Sequence, residues 1–303
     1  MARWMIGQYG FFDEEKYRRD FRPDFHGIEA CLLAGEEDVE RLIMEKEQRG
    51  IHVGVHFPLR AGMSDMRDAL FLAADLHVRE EAYALVRREL EYMQRLAPDY
   101  VLFHYPKPVI LDERVNWGIW SFSDEREYIR EGEMSLTDFK ERSEFLFNWL
   151  SRQSEQYHFI PVLEFDAVNR YVYASDWVRE LLDHYPRIRI CLDISRIYLQ
   201  ARVDPNFDAI SFIRNYASYA EVVHLANVRI QESQEYRHHP ALPQLSPEEG
   251  WAPVEEYLRM IFKVNPAVRV LYEHRSDRIT DDELEICYTW IQEIWERVMT
   301  EDR

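Results

Sequence analysis

Eight short runs rich in β-branched and aromatic residues recur along the chain, each separated from the next by a stretch with helical spacing. The runs fall at 3–8, 27–33, 51–57, 100–104, 159–165, 188–193, 221–225 and 268–273. A strand that alternates with helices in this way must pair in parallel, with the helices packed outside the sheet. Eight such units in 303 residues match the size of a closed (β/α)8 barrel. No Gly/Ser-rich linker or shift in composition interrupts them, so residues 1–303 are expected to form a single domain of α/β class.

The helical stretches carry their own punctuation. Val39, Leu42, Ile43 and Lys46 share one face and end at Gly50, a residue suited to a left-handed C-cap. Ala82, Leu85, Val86 and Met93 have core spacing ahead of Pro98. Ser135 with Asp138, and Thr280 with Glu283, mark two helix starts. Residues 105–134 show no periodicity and contain Trp117, Trp120 and Phe122, which makes them the longest irregular insertion. Loops of that length are usually functional or poorly ordered.

Composition narrows the function classes. With 47% hydrophobic residues the chain is globular, and its net charge of -19 disfavours nucleic acid, which is held by clustered Lys and Arg. Cys31, Cys191 and Cys287 form no CxxC pair and suggest neither a disulfide framework nor a thiolate zinc site. Neither a leader nor a membrane-spanning run is visible, so a cytoplasmic location is expected.

The chemistry-bearing residues fall at strand ends. The third run closes on His56, the fourth on His104, the fifth on Glu164, the sixth on Asp193, the seventh on His224 and the eighth on Glu273, while Glu29 lies within the second. Parallel barrel strands deliver their C-terminal ends to one mouth. Carboxylates and imidazoles gathered there resist joint burial and ionisation unless something compensates them. A divalent cation does so, and carboxylate with neutral imidazole suits Mn, Zn, Co or Mg. His52 faces the other way in its run and is expected to pack, and His77, His158 and His184 are expected to be solvated.

With these residues placed, the sequence resembles the xylose isomerase-like TIM barrel superfamily, which includes sugar isomerases, ketose 3-epimerases, inosose dehydratases and endonuclease IV-type apurinic endonucleases. The resemblance implies a four-ligand metal set at Glu164, Asp193, His224 and Glu273. It also implies, by likeness to the endonuclease branch, a second metal at His56 and His104 shared with Glu164. The chain departs from the pattern at Arg196 and Tyr236, where that branch has His and Asp, although His238 keeps its place.

Two enzyme classes follow from the resemblance. The first is a metal-dependent isomerase or epimerase of a sugar, sugar phosphate or polyol, in which Glu164 and Glu273 exchange a proton through an enediolate. Its substrate contacts would include Glu29, Lys107, Arg196 and His238, with Trp117 and Trp120 as an apolar wall. Arg196 reads equally as a guanidinium anchor or as a structural partner of Asp193 or Glu164, and the tryptophans equally as plain packing. The second class is a dinuclear phosphodiesterase, which the charge opposes. A non-catalytic barrel is the third reading. One or two ions per chain are expected, Mn or Zn first, and pairing into a homo-oligomer stays open.

Overall fold

The structure, a computed structural model, describes residues 3–231 and 234–301, and the side chains of all of these except 231–237. The eight strands expected from the sequence form as β1 (Trp4–Tyr9), β2 (Gly27–Cys31), β3 (His52–His56), β4 (Tyr100–Tyr105), β5 (Ile160–Phe165), β6 (Arg189–Asp193), β7 (Ala220–Leu225) and β8 (Arg269–Tyr272). Their order, β1-β8-β7-β6-β5-β4-β3-β2, closes a barrel, and helices fill the connections. This is the (β/α)8 architecture. No helix among the described residues is long and apolar enough to cross a membrane.

The helix boundaries sit where the capping residues put them. The helix Glu36–Arg49 stops at Gly50, whose φ of 66° lets its N–H return to the Lys46 carbonyl. Ser135 Oγ accepts from the Asp138 amide at the start of Leu136–Tyr157. Thr280 and Glu283 bond reciprocally before Asp281–Glu301. Each of the two N-terminal caps contributes about 1 kcal/mol.

The chain gathers into two compact units, one with residues 7–14 and 26–190, the other with 15–25, 191–303 and the start of β1. In the first, the register of β4 on β5 sets His104 opposite Glu164, and that of β2 on β3 sets Glu29 opposite Gly54. Glycine is needed at two places there. A Cβ on Gly27 would lie 1.9 Å from the His52 carbonyl oxygen, and one on Gly54 would lie 2.1 Å from the Tyr100 ring. In the second unit, β7 on β8 sets His224 opposite Leu271. β8 ends one residue before Glu273, yet the Glu273 amide still donates to the Leu225 carbonyl at 3.0 Å.

Residues 105–134, aperiodic in sequence, are organised around a pair of three-residue strands, Val109–Leu111 and Tyr128–Arg130. Trp117, Trp120, Phe122 and Tyr128 pack on Val109, Leu111 and Ala167. Elements this short carry too few residues to show a period, so the order comes from aromatic packing.

Candidate metal centre

Three ligand-type side chains of the first unit converge at the ends of β3, β4 and β5. His56 Nε2 lies 3.0 Å from His104 Nε2, and Glu164 Oε2 lies 2.7 Å from His104 Nε2 and 3.8 Å from His56 Nε2. All three side chains are buried. A parallel strand carries successive side chains to opposite faces, and the register that pairs His104 with Glu164 brings them to the same level.

A second layer orients each ring. His104 Nδ1 lies 2.9 Å from Asp68 Oδ2, and an ionised carboxylate only accepts, so Nδ1 carries the proton. Burial pushes the Asp68 carboxyl up, but the His104 ring and the Lys107 ammonium more than offset it and hold it well below the usual carboxylate range. His56 Nδ1 faces Glu29 Oε1 at 3.5 Å, and Glu29 in turn accepts from Tyr100 Oη at 2.7 Å. Arg67 Nη2, which can only donate, approaches His56 Nε2 at 3.2 Å, so that nitrogen presents a lone pair.

The two imidazoles are shifted in opposite directions. Burial, with Arg67 and His104 adding to it, lowers the His56 pKa to about 4, so the ring is neutral at pH 7. Burial pushes His104 the same way, but Asp68 and Glu164 outweigh it and raise its pKa above the ordinary histidine value. A proton carried on His104 Nε2 would face the His56 lone pair, with Glu164 Oε2 2.7 Å away.

That arrangement fits a divalent cation. Ligand atoms around a tetrahedral ion with bonds of about 2.0–2.2 Å stand roughly 3.3–3.5 Å apart. The separations of 2.7, 3.0 and 3.8 Å bracket this spacing. Both rings already have the carboxylate partners that metal-binding histidines use.

Behind the centre runs a charged chain. Lys107, 1% exposed, places its ammonium 2.7 Å from Asp68 and 2.9 Å from Asp166, and Asp166 accepts from Trp120 Nε1 at 3.1 Å. Trp117 donates to the Asp112 carbonyl. Both tryptophans line an open cavity of about 540 Å³ with Phe122, Tyr128, Arg114 and Arg130.

The second unit holds the remaining residues singled out from the sequence. Asp193 ends β6 and caps Ile194–Val203, with its Oδ1 accepting from the Arg196 amide and its Oδ2 lying 3.2 Å from Arg196 Nε. His224 is fully buried, and its Nδ1 lies 3.8 Å from Glu273 Oε2, whose side chain is 29% exposed. His238 is exposed, with φ of 50°, and its carbonyl accepts from the Arg275 amide. The side chain of Tyr236 lies outside the described residues. His77, His158 and His184 are exposed.

Asp68, Arg67 and Asp166 are absent from the sequence-derived set. Asp68 and Arg67 sit in the connection after β3, where no periodicity marks them. Asp166 directly follows the Glu164 strand and was legible as one more carboxylate at a strand end. His52 does not pack inside the sheet: its ring is half exposed and paired with Asp99, because position 52 opens β3 at the surface.

No family model matches the chain, and no curated protein matches it. Among solved structures it is similar to a D-tagatose 3-epimerase-like protein, at 13% identity over all of both chains with a TM-score of 0.65. It is also similar to 3-keto-D-glucoside 4-epimerase from E. coli, at 14% identity over 97% of this chain and 100% of that one, with a TM-score of 0.61. The IOLI protein, with a bound zinc atom, gives 10% identity, 98% and 99% coverage and a TM-score of 0.61. The fold of this chain is the xylose isomerase-like TIM barrel.

Proposed function

We propose that the chain is a cytoplasmic, divalent-metal-dependent isomerase or epimerase acting on a sugar, sugar phosphate or polyol. The observation that carries this reading is the convergence of His56 Nε2, His104 Nε2 and Glu164 Oε2, each ring backed by a carboxylate, at the strand ends of a barrel whose structural neighbours are named as sugar epimerases. By the resemblance, Glu164, Asp193, His224 and Glu273 would hold the catalytic ion, Mn or Zn first and Co or Mg otherwise, and His56 and His104 with Glu164 would hold a second ion. A divalent ion there would polarise a carbonyl and acidify the neighbouring C–H. Glu164 takes the proton from that carbon and Glu273 returns one, the two carboxylates exchanging roles with the direction of reaction. Glu29, Arg196 and His238 supply polar contacts, and Trp117 and Trp120 an apolar wall that keeps water from the carbanionic carbon. Lys107 serves the site indirectly, by neutralising Asp68 and Asp166.

The test is exchange of substrate C–H for deuterium in D2O, followed by NMR over a panel of ketoses and polyols with the chelated protein reloaded with each metal. At least one substrate should exchange at the carbon beside its carbonyl. Glu164→Gln and Glu273→Gln should abolish this while circular dichroism stays native. Undiminished exchange in either variant refutes the assignment.

The same convergence favours a second reading, a two-metal phosphodiesterase, because His56 and His104 add ligands beyond the four-residue set. A zinc ion that His104→Ala removes together with hydrolysis of bis-p-nitrophenyl phosphate would select it, whereas ketose exchange that survives His104→Ala selects the epimerase.

A further inference from the structure

We propose that the chain carries a separate, structural site for a zinc-class divalent cation, built from His26, His52 and Asp99 where β2, β3 and β4 begin. His52 opens the strand that His56 closes, so the two locations lie about 13 Å apart along β3. Residues at that end of a barrel serve stability, while chemistry collects at the other.

The three residues come from three neighbouring strands yet meet within ligand distance. Asp99 Oδ2 lies 2.5 Å from His52 Nδ1 and 3.8 Å from His26 Nε2, and the two imidazoles stack at 4.0 Å with 9° between their planes. Their backbone is held in place: the His52 amide donates to the His26 carbonyl at 3.0 Å, the Asp99 amide to Val53 at 2.8 Å, and Ile160 to the Asp99 carbonyl at 2.9 Å. Gly27 is what permits this approach, since any side chain there would strike the His52 carbonyl. Two imidazoles and a carboxylate are borderline nitrogen and oxygen donors, the set that zinc, nickel and cobalt prefer and that magnesium does not.

Parallel stacked rings cannot both aim lone pairs at one ion. Coordination therefore requires His52 to turn about its side-chain torsions, which its 50% exposed side chain leaves room to do. Water from the exposed side completes the coordination. Such an ion would tie the entry ends of three strands together and stabilise the native state by binding it in preference to the unfolded chain.

The test uses the full chain, stripped with chelator and dialysed against buffered free zinc, with bound zinc counted by plasma mass spectrometry and thermal unfolding followed in parallel. His52→Ala and Asp99→Asn, both at partly exposed positions, should each hold one zinc fewer than the wild type and show a smaller zinc-dependent rise in Tm. His104→Ala, at the other end of the strands, should leave this zinc and its stabilisation in place. Equal zinc content and equal zinc-induced stabilisation in wild type, His52→Ala and Asp99→Asn would overturn the proposal.

Discussion

His56 and His104 meet Nε2 to Nε2 at 3.0 Å, the first with its pKa lowered to about 4 by burial and the second with its pKa raised by Asp68 and Glu164. A proton on His104 Nε2 would occupy the position that an ion held by His56, His104 and Glu164 would take, so the two compete.

Metal binding must expel the His104 Nε2 proton. At pH values below the raised His104 pKa, one ion bound should release about one proton, and affinity should rise up to about tenfold per pH unit. Titration calorimetry in buffers of different ionisation enthalpy checks this, and a binding enthalpy independent of the buffer would contradict it.

Asp68 fixes which nitrogen of His104 faces the ion. Asp68→Asn should weaken binding by about 10–100-fold without removing a ligand. Competition against a chromophoric chelator reads this directly. The same variant should lower the His104 pKa, visible as a lower midpoint pH in its NMR titration.

Lys107 neutralises buried Asp68 and Asp166. Lys107→Met keeps the length and removes the charge, leaving carboxylates buried without their cation. The expected loss is about 3–5 kcal/mol in urea unfolding, because breaking a buried pair from one side costs more than the pair contributes. A loss below about 1 kcal/mol would show that water already reaches these groups.

The metal-free protein should lose stability on acidification through His56. Its folded pKa of about 4 lies below the ordinary 6.5, so the unfolded chain binds the proton first. Its contribution is fully present above pH 6.5 and declines as pH falls from 6.5 to 4, with a slope of up to about 1.4 kcal/mol per pH unit. His56→Asn should flatten that arm of the Tm-against-pH curve. An unchanged slope would show that the ring already takes up its proton in the folded state near the ordinary histidine value.

Much of the centre was visible in the sequence because a strand announces itself by composition and ends at a turn. His56, His104 and Glu164 stand at such ends, and so do Asp193, His224 and Glu273. The helices were legible for the same reason, Gly50 and Ser135 being local signals that act locally. What stayed hidden was whatever tertiary contact alone decides. Asp68 lies in a connection without pattern, and only folding brings it to His104. Lys107 reads in sequence as a polar residue near the mouth, whereas burial gives it three carboxylate neighbours. The strands at 109–111 and 128–130 are too short to show alternation.

The hydrogen bond from Trp120 to Asp166 ends a relay of contacts through Lys107 and Asp68 to His104. The segment between β4 and the following helix is therefore no interchangeable ornament. Grafting a different loop there would also disturb the hydrogen bonding that orients His104, so the loop and the centre cannot be redesigned independently of each other.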